Sequence, residues 1–311
     1  MDRRKVTLMI PCYNEEQSLP VLYSRIAALA DGRPEYDWEF LLINDGSLDG
    51  TLDVIRDLRE RDSRVCFIDL SRNFGKERAM LAGFDYATGD CLVTLDADLQ
   101  DPPEVVDQML ERWKQGYEDV YARRITRGRE SWLRRRLSLA YYSLLQRFTR
   151  ADVLQNVGDF RLLDRRCVNA LKQLRESERY TKGLFTWIGY RKCEITFDRG
   201  DRVAGESSYN LFKLFNLAVD GITSFSTAPL RLATIMGLVV SVGTFVYMCY
   251  FLLKTLIVGE EVQGFPTLIV TMLFLGGVQL LSLGIIGEYL GRIFNETKNR
   301  PVYLIREKQG V

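Results

Sequence analysis

Two long stretches without a single formal charge decide most of what this chain can fold into. Leu232–Leu253 and Phe265–Gly287 contain no Asp, Glu, Lys or Arg, and each has the roughly 20 residues a helix needs to cross a hydrocarbon core. A buried core helix is the competing reading, and two adjacent runs of this length count against it. The link between them, Gly259–Gly264, is short and carries Glu260 and Glu261. The outer flanks are basic, with Arg231 before the first run and Arg292, Lys298, Arg300, Arg306 and Lys308 after the second. Lys and Arg stay on the cytoplasmic side of a membrane, so both termini are expected inside and the acidic tip outside. The N-terminus, MDRRKVTLMIPCYNEE, lacks the apolar run and small-residue cleavage site of a signal peptide. The first 210 residues are therefore expected in the cytosol.

The chain has no histidine. That removes histidine general bases, Ser-His-Asp triads and histidine-ligated zinc together. Chemistry here must rest on carboxylates, oxygen-liking metal ions, Arg or Lys. The six cysteines, Cys12, Cys66, Cys91, Cys167, Cys193 and Cys249, form no CxxC pair. Several lie in apolar, strand-like runs, so they read as reduced core thiols.

The first hundred residues alternate short β-rich runs with helix-length segments. Val6–Ile10, Glu39–Ile43, Val65–Leu70 and Cys91–Leu95 read as strands, bounded by turn residues such as Pro11, Asn44–Gly46 and Asp96. Glu15–Ala30, Leu48–Arg59 and Glu77–Ala87 carry apolar residues at helical spacing. Such alternation predicts an α/β domain with a mainly parallel sheet covered on both faces. Ligands of these sheets bind beyond the carboxyl ends of the strands, which directs attention to Tyr13–Glu16, Asn44–Asp49 and Asp96–Asp101.

Further along, Tyr121–Arg136 holds seven arginines and one glutamate. Clustered arginines suit bidentate phosphate recognition and attract anionic lipids; a solvated face is the plain alternative. Nucleic acid is not expected as a partner, given a near-even charge balance and a membrane tether. Asn210–Phe225 is amphipathic and ends just before the first apolar run. A helix lying in the headgroup plane and a helix packed under the first domain both remain open.

Asp96-Ala97-Asp98-Leu99-Gln100 directly follows the fourth strand. On an extended segment residues two apart point the same way, so Asp96, Asp98 and Gln100 could aim three oxygens at one point. Hard cations such as Mg²⁺ or Mn²⁺ favour those donors and also bind phosphates. Pro102 and Pro103 open a helix well, making Asp101 its expected cap. Asn44-Asp45-Gly46-Ser47 follows the second strand; Asp45 could accept from a ribose or a base, or simply shape a turn. Pro11-Cys12-Tyr13-Asn14-Glu15 follows the first, with Tyr13 able to lie against a base.

Together these residues carry a resemblance. IPCYNEE, INDGSLDGT, LSRNFGKERAMLAGF and TLDADLQDPPE resemble the GT-A fold of family 2 glycosyltransferases. GDFRLLDRR, RVAGESSYN and GEYLGRIFNETKNRPVY narrow it to the polyprenyl-phosphate glycosyltransferases. The resemblance implies that Pro11, Tyr13, Glu15 and Asp45 hold the nucleoside and that Asp96, Asp98 and Gln100 bind metal and diphosphate. It implies that Asp159 stands beside the acceptor, and that Arg202 and Ser207 grip phosphate, Arg202 also steadying the leaving group. Lys76 and Arg129 are further candidates for phosphate charge, because Ser208 stands where relatives commonly carry lysine. Partners so implied are a nucleotide sugar, polyprenyl phosphate and membrane lipids, in a homo-oligomer such as a tetramer at the inner (plasma) membrane.

The expected layout is a catalytic domain over 1–208, a juxtamembrane helix region over 209–229, a hairpin over 230–291 with spans near 232–255 and 266–288, and a cytosolic tail over 292–311. The expected reaction is inverting transfer of a hexose, with UDP-glucose as first choice of donor. Two other readings stand beside it. A processive polysaccharide synthase would carry QxxRW and more spans, and neither is present in this sequence. A non-enzymatic nucleotide- or lipid-binding subunit would be expected to have lost Asp96, Asp98 or Gln100.

Overall fold

The computed structural model describes residues 3–124, 157–177, 179–197, 228–258 and 264–311. It divides into two compact units, Met1–Leu211 with Pro301–Val311, and Phe212–Arg300. The amphipathic segment Asn210–Phe225 and most of the arginine segment lie outside the described residues.

In the first unit, β1 (Arg4–Cys12), β2 (Tyr36–Asn44), β3 (Val65–Leu70), β4 (Cys91–Thr94), β5 (Asp119–Arg124), β6 (Val157–Asp164), β7 (Lys192–Phe197) and β8 (Ile305–Gln309) form one sheet. Its order is β7-β5-β6-β4-β1-β2-β3-β8. β1 to β4 run parallel, whereas β6 opposes β4 and β5. The mainly parallel sheet expected from the alternation is present. β3 and β4 are buried at every position, as parallel strands covered on both faces must be. Phe40 and Phe67 have no surface in water, each burial contributing about 1.5–3 kcal/mol.

The helices are α1 (Leu19–Asp31), α2 (Thr51–Arg61), α3 (Lys76–Tyr86), α4 (Val105–Lys114), α5 (Arg165–Gln173) and α6 (Thr181–Trp187). α3 lies close against β1 because Gly83 has no side chain; a Cβ there would come 2.2 Å from Met9 Sδ. Two helices begin later than expected, and the reason is local. Glu15 N–H donates to Thr51 Oγ1 at 2.8 Å, and Leu48 N–H donates to Asn14 Oδ1 at 2.9 Å. These residues stitch two strand-end loops together instead of opening helices. Asp101 does not cap α4, which starts at Val105 after Glu104; the Pro102 and Pro103 carbonyls accept from Val105 and Val106.

β5 and β6 are joined by a buried ion pair, Arg161 Nη1 to Asp119 Oδ2 at 3.1 Å, with side chains 3% and 0% exposed. Burial pushes the Asp119 carboxyl upward, and Arg161 opposes that push. A buried charge left without its partner is costly, so the two are retained or lost together. The cysteines among the described residues are all free thiols, as their scatter predicts.

The second unit contains α7 (Ala228–Val258) and α8 (Phe265–Thr297), which pack on each other. With 31 and 33 residues, each is about 45–50 Å long. Among the described residues, Phe274–Thr297 is long and apolar enough to cross a membrane, and Ala233–Tyr247 is a shorter apolar stretch. Leu238 is 64% exposed and Leu280 is 72% exposed. So much outward apolar surface does not suit water.

Candidate active site

The chain order reverses between β1 and β4: β2 and β3 lie on one side of β1, and β4 on the other. Such a switch point leaves a crevice beyond the carboxyl ends of the two strands. A cleft of about 260 Å³ is found there, and all three strand-end motifs contribute to it through Tyr13, Glu15, Asp45, Lys76, Asp96 and Asp98. Pro11, Cys12, Asn73, Gly75, Ala79 and Ala97 complete the wall. A larger open hollow of about 650 Å³ lies at the amino ends of β1 and β2, beside Lys5 and Asp37. Of its charged lining residues, Arg64 is paired with Asp31 at 2.8 Å, and none of the three strand-end motifs reaches it.

Lys76, first residue of α3, links two of the acids. Its ammonium lies 2.6 Å from Asp96 Oδ1 and 2.9 Å from Asp159 Oδ2. Burial alone would lower the Lys76 ammonium, but Asp96 and Asp159 outweigh it and hold it above its ordinary value. Asp159, on β6, shows the converse. Burial works to raise it, while Lys76, Lys182 and Arg161 prevail and hold it below the usual carboxylate range. Asp159 Oδ1 is buried without a hydrogen-bond partner. Lys182, on α6, was not foreseen, because no local motif marks it and only folding brings it near Asp159.

Glu15 feels the other side of the same field. Burial raises its carboxyl; the Ser18 hydroxyl counters that rise, and Asp98, Asp96 and Asp49 add to it. The cleft thus gathers more negative charge than Lys76 offsets. Among the described residues no three acids form a complete metal cage. That fits a Mg²⁺-like ion, which commonly takes one or two carboxylates and completes its shell from phosphates and water. Asp96 and Asp98 are the two acids of the fourth-strand motif in the cleft wall, and would be the ones within reach of such an ion.

Gln100 departs from expectation. β4 ends at Thr94, and the following residues form a turn, with Leu99 at φ +61°. The period-two argument therefore fails beyond Asp96, since Ala97 and Asp98 already lie in the turn. Gln100 is buried with Nε2 unpartnered and does not line the cleft, while its backbone N–H donates to Asp98 Oδ1 at 3.1 Å. A left-handed bulky residue is uncommon, and such backbone gathers at functional sites.

Asp45 lies in the wall, already engaged. Its Oδ1 accepts from Phe74 N–H at 2.7 Å and its Oδ2 from Gly75 N–H at 2.9 Å. Burial raises the carboxyl, against these two bonds. Gly46 allows the close approach: at φ +65°, a Cβ would stand 2.3 Å from the Arg72 carbonyl carbon. Asp45 thus holds the Ser71–Gly75 loop against the site and keeps spare lone pairs. Tyr13 is exposed at the mouth. Arg129, Arg202 and Ser207 lie outside the described residues.

Comparison with known proteins shows the family of the chain. The profile described as Glycosyl transferase family 2 matches residues 7–171, and that of the GtrB C-terminal hairpin matches 228–293. An uncharacterised glycosyltransferase of Synechocystis is 44% identical over 99% of this chain and 96% of its own. The SfII prophage-derived bactoprenol glucosyl transferase of Shigella flexneri is 43% identical over 97% of this chain and 98% of its own. Glucosyl-3-phosphoglycerate synthase from Mycobacterium tuberculosis aligns over 71% of this chain and 79% of its own, at 19% identity and a TM-score of 0.47. That last likeness is too distant to bear on substrate. The chain belongs to glycosyltransferase family 2, with a GT-A catalytic domain and a C-terminal hairpin, and is a glycosyltransferase.

Proposed function

We propose that this enzyme transfers glucose from UDP-glucose to a polyprenyl phosphate, undecaprenyl phosphate in a bacterium, at the cytoplasmic face of the inner membrane. The product is a lipid-linked sugar for later use in surface polysaccharide or glycolipid modification. The observation that carries the reading is the Asp96–Lys76–Asp159 bridge in a cleft at the switch point of the sheet. The naming of relatives as bactoprenol glucosyl transferases supports the choice of acceptor and sugar. The outward apolar surface of α7 and α8 supports placement in a bilayer as a two-span hairpin.

In this reading Pro11, Tyr13, Glu15 and Asp45 bracket the nucleoside, and Asp96 and Asp98 would hold Mg²⁺ or Mn²⁺. The metal's contribution is Lewis-acid neutralisation of charge on the departing diphosphate. Arg129, Arg202 and Ser207 would grip phosphate, as the family resemblance implies. The acceptor is a phosphate monoester, with a second pKa near 6, so it arrives mostly ionised and needs no strong base. Asp159 suits that chemistry. Held below its ordinary value by surrounding cations, it is a poor proton acceptor at neutral pH but a fixed negative charge. It would orient the acceptor or stabilise positive charge forming on the sugar ring. Attack from the face opposite the diphosphate gives one inversion.

The test incubates the purified full chain with polyprenyl phosphate, Mg²⁺ or Mn²⁺, and UDP-glucose, other UDP-sugars or GDP-mannose in separate reactions. A glucolipid formed only with UDP-glucose is expected. Product from another donor would replace the sugar, and binding without turnover in every reaction would favour a non-enzymatic subunit.

A further inference from the structure

β8 comes from the far end of the chain, beyond the hairpin, and adds to the edge of β3. The ladder pairs Gln309 with Phe67, Lys308 with Ile68 and Glu307 with Asp69, then shifts so that Ile305 pairs with Leu70. Arg306 is the extra residue in that shift. A bulge of this kind re-aims one side chain out of the regular alternation. Arg306 Nη2 donates to the Ser71 carbonyl at 2.6 Å and Nη1 to Asp69 Oδ2 at 3.4 Å.

Both contacts lie beside the cleft. Ser71 opens the loop that supplies Asn73, Gly75 and Lys76 to the wall, and its N–H donates to the Leu304 carbonyl at 2.9 Å. Asp69 is fully buried; its Oδ1 accepts from Asn44 Nδ2 at 2.7 Å, and Asn44 Oδ1 accepts from the Ser47 hydroxyl at 2.6 Å. Ser47 Oγ in turn accepts from Asn14 N–H at 3.0 Å. One guanidinium therefore touches the start of the third cleft loop and begins a chain of hydrogen bonds through the second loop to the first. Nearby, Tyr303 O–H donates to Asp85 Oδ2 at 2.7 Å, so the tail also grips the far end of α3, whose first residue is Lys76.

We propose that Arg306 is a positioning residue for the donor cleft, through which the C-terminal strand sets the loop that presents Lys76 and Gly75. This rests on the cleft holding the nucleotide sugar. Arg306 is 58% exposed in its side chain whereas its partner Asp69 is fully buried, so denaturant titration of Arg306→Ala accompanies the kinetics, and Arg306→Lys keeps a positive charge beside Asp69. Glu307 is the control: it lies on the same strand and pairs with Arg56 of α2, away from the cleft loops.

The experiment uses the full chain in detergent or lipid discs and compares Arg306→Ala, Arg306→Lys and Glu307→Ala. Arg306→Ala should raise the KM for UDP-glucose about fivefold, the scale of one modest hydrogen bond, with kcat within about twofold. Arg306→Lys should recover part of that loss, and Glu307→Ala should leave the KM unchanged. An equal rise in Glu307→Ala would reduce the effect to strand docking and overturn the proposal, as would an unchanged KM in Arg306→Ala. Amide exchange at Phe74 and Gly75, measured without nucleotide, separates this from the functional reading. Faster exchange in Arg306→Ala supports the positioning role even if UDP-glucose is not the donor, and unchanged exchange overturns it.

Discussion

Phe67 and Leu280 are both large apolar side chains, yet the first has no surface in water and the second is 72% exposed. The two units they belong to treat the same chemistry in opposite ways. In the first, apolar residues are hidden and acids converge on a cleft. In the second, apolar residues face outward along two long helices. One chain thus carries two opposite arrangements of apolar side chains. The same substitution should therefore have different meanings in each unit, which makes the contrast open to experiment.

The largest effect is expected at the cleft. Asp96→Asn should lower turnover about a thousandfold, comparable to losing a principal electrostatic group at a reacting centre, with little change in melting temperature. Near-normal turnover would remove the cleft from the chemistry. Next come the apolar residues themselves. Phe67→Ala should cost about 3–5 kcal/mol of unfolding free energy, the usual range for a buried phenyl group, read by denaturant titration. Leu280→Arg should cost about 2.5–3.5 kcal/mol in membrane insertion if it faces lipid; an unchanged membrane fraction would mean that α8 faces something else.

A smaller effect concerns pH. Lys76 is raised in the folded state, so its stabilisation is complete below about 10.4 and is lost as pH climbs through its folded value. Asp159 is depressed, so its share is complete above about 3.9 and is lost as pH falls through its folded value. The pair thus stabilises across the neutral range and weakens at both ends. Lys76→Met should cost about 1 kcal/mol or less at pH 7, because a side chain that is 41% exposed is partly screened by water. The gap from the unsubstituted chain should narrow below pH 4; denaturation at pH 3 and pH 7 decides it. The smallest effect is expected at the other end of the sheet. Asp37→Ala, beside the larger hollow, should change stability by less than about 0.5 kcal/mol and leave donor KM as it was.

The first four strands could be read from sequence because each is a short apolar run ended by a turn residue, and burial on both faces leaves little choice of composition. β8 could not. Its sequence, IREKQ, has three charged residues in five, since an edge strand bonds through its backbone and keeps most side chains in water. The cleft residues Asp96 and Asp98 were legible as a motif at a strand end, whereas the place of Gln100 outside the cleft wall was not, because Leu99 turns the backbone before it. The meeting of Lys76 with Asp159 follows from strand order and has no signature in spacing. Lys182 lacked even a motif.

The placement of β8 has a practical consequence for anyone wishing to handle the catalytic unit by itself. Cutting the chain ahead of the hairpin removes the eighth strand too, baring the backbone N–H and C=O groups of β3 along an apolar rim. Such a rim is a template for pairing with other molecules, so the shortened protein would be prone to clump. Supplying residues 301–311 as a separate peptide would restore the cover.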